Sequence, residues 1–249
     1  MLELSILFIS GFAAGILNAV AGGGTFLTFP ALVWFGLPPV LANATSTFAA
    51  MPGYASAAWA FRHDVKAEGT LPLRAIIITA TLGAILGALL LIVTPSDVFT
   101  GAVPWLLLLA TVLFGTGPLI LKFAQSRGIG QAGLLVSTIT ILAVAIYGGY
   151  FNGGLGIMLL AAFSLLGYQN LHGMNGLKNL ISAIISVVSS VAFISAGLIV
   201  WKPALVIAVA ITFGGYIGAS QSRRIKRQDY LRWFVTAVGT VTTVIFFLT

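Results

Sequence analysis

The sequence predicts an all-α polytopic membrane protein. It is built from two inverted-topology repeats of about five apolar segments each, with short helices that are broken by glycine or re-entrant. Three observations carry this. Of 249 residues, 59% are hydrophobic and only 7% are charged, where a soluble domain is roughly 25% charged. The apolar residues fall into segments of bilayer length. A glycine-rich pattern occurs once in each half of the chain, and basic residues switch between equivalent loops. So few charges cannot coat a soluble globule, which excludes an ordinary cytosolic enzyme, a disordered chain and the usual kind of nucleic-acid binder. The net charge of +7, from 12 Lys or Arg against 5 Asp or Glu, reads as membrane topology. With no cysteine there is no disulfide, thiolate metal site or Cys nucleophile.

A transmembrane helix needs about 20 apolar residues. Apolar segments cover roughly 4–21, 24–36, 39–61, 71–93, 102–121, 132–151, 154–167, 173–200, 203–221 and 231–248. The N-terminal segment lacks the basic flank of a signal peptide, since Glu3 is the only early charge, and it is read as mature membrane structure. Segments 24–36 and 154–167 are short, because thirteen helical residues reach only about 20 Å. Each follows a glycine cluster. A single helix over 4–36 would run about 50 Å, too long for one span. Trp34, Trp59, Trp105, Trp201 and Trp233 all lie near segment ends, where indole favours the headgroup region, although Trp also packs between helices.

The two halves, 1–125 and 126–249, repeat a pattern. Gly22-Gly23-Gly24-Thr25-Phe26-Leu27 leads to Gly36 and then to Asn43-Ala44-Thr45-Ser46-Thr47. Gly153-Gly154-Leu155-Gly156-Ile157-Met158 leads to Gly167 and then to Asn175-Gly176-Leu177-Lys178-Asn179. The offset is 131 residues up to the second glycine and 132 at the asparagine. The loop after segment three carries Arg62, Lys66 and Arg74, whereas its counterpart after segment eight carries only Lys202. The loop after segment four holds only Asp97, whereas that after segment nine holds Arg223, Arg224, Lys226, Arg227 and Arg232. This switch is what an odd number of segments per repeat and the positive-inside rule require. Lys122 and Arg127 put the inter-repeat loop on the cytoplasmic side, with both termini outside.

Glycine breaks at membrane depth free backbone groups that need partners, and they are tolerated where they line a cavity. They also create helix N-termini, whose N–H groups suit an anion. Gly22, Gly23 and Gly24 in one half, and Gly153, Gly154 and Gly156 in the other, are therefore candidates for facing each other around a substrate. Scattered glycines such as Gly83 and Gly87 suit close helix packing instead. Asn18, Thr25, Asn43, Thr45, Asn152, Asn175 and Asn179 are candidates to add hydrogen bonds to that substrate, while the polar runs around Asn43 and Asn175 also suit helix caps and interhelical bonds. Lys178 is the one basic residue placed well inside a segment, which makes it either a functional charge or a side chain snorkelling to the interface. His172, at the start of the same segment, is a candidate proton relay or gate, or a structural interfacial residue.

All five carboxylates (Glu3, Asp64, Glu68, Asp97 and Asp229) fall in expected loops or at a terminus. None is placed to hold a cation at mid-membrane, so an anion is the better substrate. A co-transported proton would travel on the substrate or on His172. No catalytic motif is present: HExxH, a Walker lysine loop and GxSxG are all missing. No catalytic residue, metal or cofactor is expected. The expected partners are a small anion, a proton and the lipid bilayer, with an oligomer open and no nucleic acid.

Residues 16–25 (Ile-Leu-Asn-Ala-Val-Ala-Gly-Gly-Gly-Thr), Phe29-Pro30-Ala31-Leu32 and Ala42-Asn43-Ala44-Thr45 resemble the first repeat of the TauE/SafE family of sulfite exporters. Residues 147–156 (Tyr-Gly-Gly-Tyr-Phe-Asn-Gly-Gly-Leu-Gly) and 172–179 (His-Gly-Met-Asn-Gly-Leu-Lys-Asn) resemble its second. In that family the second repeat often reads with three glycines and an Arg after the His. Here Leu155 interrupts the glycines and Gly173 follows His172. The resemblance implies a multi-pass transporter of the bacterial inner membrane for sulfite or organosulfonate-type anions. The expectation is thus a secondary exporter of a small sulfur-containing oxyanion such as sulfite. It would work by alternating access, with the anion held at the glycine breaks and Lys178 balancing its charge. The alternative is a permease or channel for another small anion, such as an organosulfonate or a carboxylate.

Overall fold

The computed structural model describes residues 2–20, 22–126, 133–221 and 228–248. Among these residues all regular structure is helical. The helices are α1 (Leu2–Val20), α2 (Thr25–Trp34), α3 (Pro39–Ala60), α4 (Leu73–Val93), α5 (Ser96–Ser126), α6 (Leu134–Tyr150), α7 (Leu155–Leu165), α8 (Leu171–Ser195), α9 (Trp201–Gln221) and α10 (Gln228–Leu248). Four stretches are long and apolar enough to cross a bilayer: Leu73–Val93, Ser96–Leu113, His172–Ser195 and Trp201–Gln221. The chain is a membrane protein, and its surface fits that solvent. On α4 the side chains of Ile78, Leu82, Leu86, Leu89 and Val93 point outward, a contiguous apolar surface that water would not tolerate.

The short segments are short helices, with a non-helical break ahead of each. At the far end both α2 and α7 stop in the same way. The N–H of Leu37 donates to Leu32 O, and that of Tyr168 to Phe163 O, a turn that ends a helix through a left-handed residue. Those residues are Gly36 (φ +85°) and Gly167 (φ +89°), the pair 131 positions apart in the sequence.

Packing interlaces the two halves. Helix α1 lies against α9, and α4 against α6. Glycines make both approaches close. A Cβ on Gly15 would strike Ile211 O, one on Gly214 would strike Phe12 O, and one on Gly87 would strike Ile146 O. On Gly149 it would lie 2.6 Å from Ala84 O. In lipid such approach replaces the hydrophobic drive with van der Waals contact. Helices α3 and α8 cross each other centrally. Helix α3 also packs on α9, and α8 on α4.

Two expectations shift. Helix α5 begins at Ser96 rather than near 102, so Trp105 sits in its third turn instead of at its end. All five tryptophans are nonetheless exposed. Asp97 lies in the first turn of α5 rather than in a loop, where a carboxylate favours the positive end of the helix dipole. Arg62, Lys66, Arg74 and Lys202 are exposed. Arg127, Arg223, Arg224, Lys226 and Arg227 lie outside the described residues.

Candidate functional site

Helix α1 ends at Val20 because Gly22, at φ +85°, turns the chain. Helix α7 is preceded by Gly154 at φ +74°. The two breaks touch. A Cβ on Gly22 would lie 2.7 Å from Gly156 Cα, and one on Gly156 would lie 2.6 Å from Gly22 Cα. Only two glycines let these backbones meet. Thr25 Oγ1 adds a bond across the same junction, donating to Asn152 O at 3.2 Å.

Lys178 closes one side. It is fully buried and does not snorkel. Its Nζ donates to Asn18 O (3.0 Å), Ala19 O (3.3 Å) and Asn175 Oδ1 (3.0 Å). The first two are last-turn carbonyls of α1, where the helix dipole presents partial negative charge. All three ammonium protons are thereby used. Asn18 also holds the first break from its side chain. Its Oδ1 accepts from Gly24 N at 2.7 Å and from Tyr54 Oη at 3.4 Å. The N–H of Gly22 donates to Leu17 O at 2.8 Å. In this conformation two of the first-break N–H groups are therefore engaged within the protein.

The second break is pinned from α8. Asn152 Nδ2 donates to Ser186 Oγ at 3.0 Å, and Tyr147 Oη donates to Gly153 O at 2.7 Å. Phe151 seals its flank, edge-on to Phe29 with ring centroids 5.5 Å apart. Asn43 reaches the same place, its Nδ2 donating to Tyr150 O at 2.9 Å.

Lys178 and Ser186 are thus anchored to opposite breaks while standing two turns apart on one face of α8, about 12 Å along its axis. Asn179 and Ser182 lie between them on that face. Both are fully buried. Neither Asn179 amide atom has a hydrogen-bond partner among the described residues, and nor does Ser182 Oγ. Asn18 Nδ2, Asn43 Oδ1 and Asn152 Oδ1 are in the same condition. Buried polar atoms are ordinarily paired, and here six side-chain atoms on Asn18, Asn43, Asn152, Asn179 and Ser182 have no partner among the described residues.

The structure therefore brings together Asn18, Gly22, Gly24, Thr25, Asn43, Asn152, Gly153, Gly156, Asn175, Lys178 and Asn179, with Gly23 and Gly154 in the same two breaks. Thr45 goes elsewhere, since its Oγ1 accepts from Val200 N at 3.1 Å just ahead of α9. His172 is exposed in the first turn of α8. Asn170 caps that helix, its Oδ1 accepting from His172 N and Gly173 N. Glu68, on the loop after α3, accepts from Gln169 N (3.1 Å) and Asn170 N (3.2 Å). Beside it the Tyr168 phenol is held above its ordinary pKa, first by burial and then by the Glu68 charge, against hydrogen bonds from Gly69 and Glu68.

Sequence reasoning missed Ser182, Ser186 and the serines beyond them. The signal was there. Asn175, Lys178, Asn179, Ser182, Ser186, Ser189 and Ser190 recur every three or four residues in an apolar segment, which is one helical face. All but Asn175 are at most 2% exposed.

The chain is similar to known proteins along most of its length. The family model described as "Sulfite exporter TauE/SafE" matches residues 7–246. A "Probable membrane transporter protein ORF9" of Sinorhizobium sp is 30% identical over 224 residues, covering 87% of this chain and 82% of its own. A "Probable membrane transporter protein" of Haemophilus influenzae is 32% identical over 219 residues, covering 87% and 84%. The "Probable membrane transporter protein YfcA" of Escherichia coli K12 is 29% identical over 244 residues, covering 96% and 88%. No solved structure matches the chain. With the family model matched from the first helix to the last and relatives alike along most of their length, the chain belongs to the TauE/SafE sulfite exporter family of membrane transporters.

Proposed function

We propose that the protein is a secondary exporter of a small sulfur-containing oxyanion such as sulfite, working in a bacterial inner membrane. The observation that carries this is the Gly22–Gly156 junction. Two helix breaks, one from each half, meet backbone to backbone beside the buried ammonium of Lys178 and a set of unpaired amide and hydroxyl groups. That combination is the chemistry of an anion site within a bilayer.

The halves are read as copies of one five-helix unit in opposite orientation. Several features support that reading. The α1–α9 and α4–α6 pairs exchange under a shift of five helices, as do α3–α9 and α8–α4. Helices α2 and α7 end in matching glycine turns. Transport proceeds by one unit rocking against the other, with the glycine junction as the pivot. In the structure described here the Glu68 clamp ties the loop after α3 to the loop before α8, so opening on that side requires its release.

The test is sulfite flux into proteoliposomes, with and without a pH gradient. Saturable flux with counterflow is expected. Flux that rises linearly with concentration and shows no counterflow would make the protein a channel. No movement of any sulfur oxyanion under any gradient would overturn the reading.

A further inference from the structure

The unpaired atoms at the junction restrict the protonation state of what binds there. Asn18 Oδ1 accepts from Gly24 N, which fixes that amide and leaves Nδ2 as a donor. Asn43 Nδ2 donates to a carbonyl, which leaves its Oδ1 as an acceptor. Asn179 presents one of each, and the Ser182 hydroxyl can serve as either. A fully deprotonated oxyanion offers acceptors alone, so it would leave the amide oxygens unpaired and facing negative charge, at a cost.

Charge points the same way independently. Lys178 is the one buried cation among the described residues, and it already faces the negative end of α1. A dianion would leave net negative charge in a desolvated site. The other titratable groups hydrogen-bonded into the junction are the phenols Tyr54 and Tyr147. Asp64 and Glu68 lie on the loop after α3, and His172 is exposed in the first turn of α8.

Resting on the transporter reading above, we propose that the transported species is a singly charged oxyanion carrying its own hydroxyl proton. For sulfite this is hydrogensulfite in its O–H form. Its O–H donates to Asn179 Oδ1, and its remaining oxygens accept from Asn179 Nδ2 and Ser182 Oγ. Asn179 is then the specificity-determining residue. The proton crosses on the substrate, and no side chain has to carry it.

The probes are sulfite and methanesulfonate, which bears the same single charge and three sulfur-bound oxygens but no hydroxyl. Competition against labelled sulfite uptake in proteoliposomes, on the acid side of sulfite's second ionisation, is expected to favour hydrogensulfite by about tenfold or more. Apparent affinity for total sulfite falls on the alkaline side, following the protonated fraction. Asn179→Leu abolishes the preference. Should that variant fail to fold, the ligand comparison in the unaltered protein decides alone. Equal competition by methanesulfonate, or affinity that rises with pH, would overturn the proposal while leaving the transporter reading intact. A protein that moves neither anion loses both.

Discussion

Lys178 holds the end of α1 from 160 residues away in sequence, its Nζ 3.0 Å from the Asn18 carbonyl oxygen. The ammonium is therefore a helix cap, and under the proposed function it is a site charge as well. Lys178→Ala takes the donor from two buried carbonyls, those of Asn18 and Ala19, about 1–3 kcal/mol for each group stranded. A lower thermal midpoint in detergent is expected, together with loss of sulfite-induced stabilisation. Lys178→Arg does not restore either, because a planar fork cannot reproduce three bonds from one nitrogen. A variant with full sulfite stabilisation would confine Lys178 to the structural role.

Gly156→Ala drives a methyl into Gly22 and is expected to destabilise by about 1–3 kcal/mol, with flux lost. Gly36→Ala serves as the contrast. Its φ of +85° strains the alanine by roughly 1–2 kcal/mol, but nothing lies within 4 Å of the added carbon. Flux per folded molecule should survive there. Equal flux loss in both variants would deny the junction its special role.

Hydroxyls that fold the protein can be told from hydroxyls that serve transport. Thr47 Oγ1 donates to Asn43 O at 2.8 Å, so Thr47→Val should lower stability by about 1 kcal/mol. Ser182 Oγ has no partner among the described residues, so Ser182→Ala should leave the thermal midpoint unchanged or raise it while reducing flux. A stability loss at Ser182 with unchanged flux would reverse the assignment.

Glu68→Ala removes a charged acceptor from two backbone N–H groups. Hydrogen exchange at Gln169 and Asn170 should quicken, and the loop ahead of α8 should become more accessible. Unchanged exchange would mean that the clamp holds nothing.

The chain contains no cysteine, so single cysteines placed within residues 62–70 and 222–230 report topology without background. Both should label from the cytoplasmic face. Labelling from opposite faces would rule out the inverted arrangement.

The sequence displayed the glycine breaks, the short helices after them and the buried lysine, because each is a local violation of an apolar pattern. What it did not display depends on distance. The bonds from Lys178 to Asn18 and from Ser186 to Asn152 join residues 160 and 34 positions apart. No local pattern encodes which helix end a lysine will find. Thr45 looked like its neighbours in composition, yet its hydroxyl serves α9, since one step around a helix turns a side chain by about 100°. The serine face of α8 was legible by spacing alone but was masked by the hydrophobic average around it.

The interlaced pairing has a consequence for how the protein is made. Helix α1 leaves the ribosome first, but its partner α9 follows some 180 residues later, and the lysine that closes its C-terminus follows some 160 later. Until then the Gly15 ridge of α1 lacks its α9 partner, and the Asn18 and Ala19 carbonyls lack Lys178. The first half therefore inserts as an unfinished surface. The packing of α1 is complete only when α9 docks, so truncations before α9 should leave a chain that is inserted but prone to degradation.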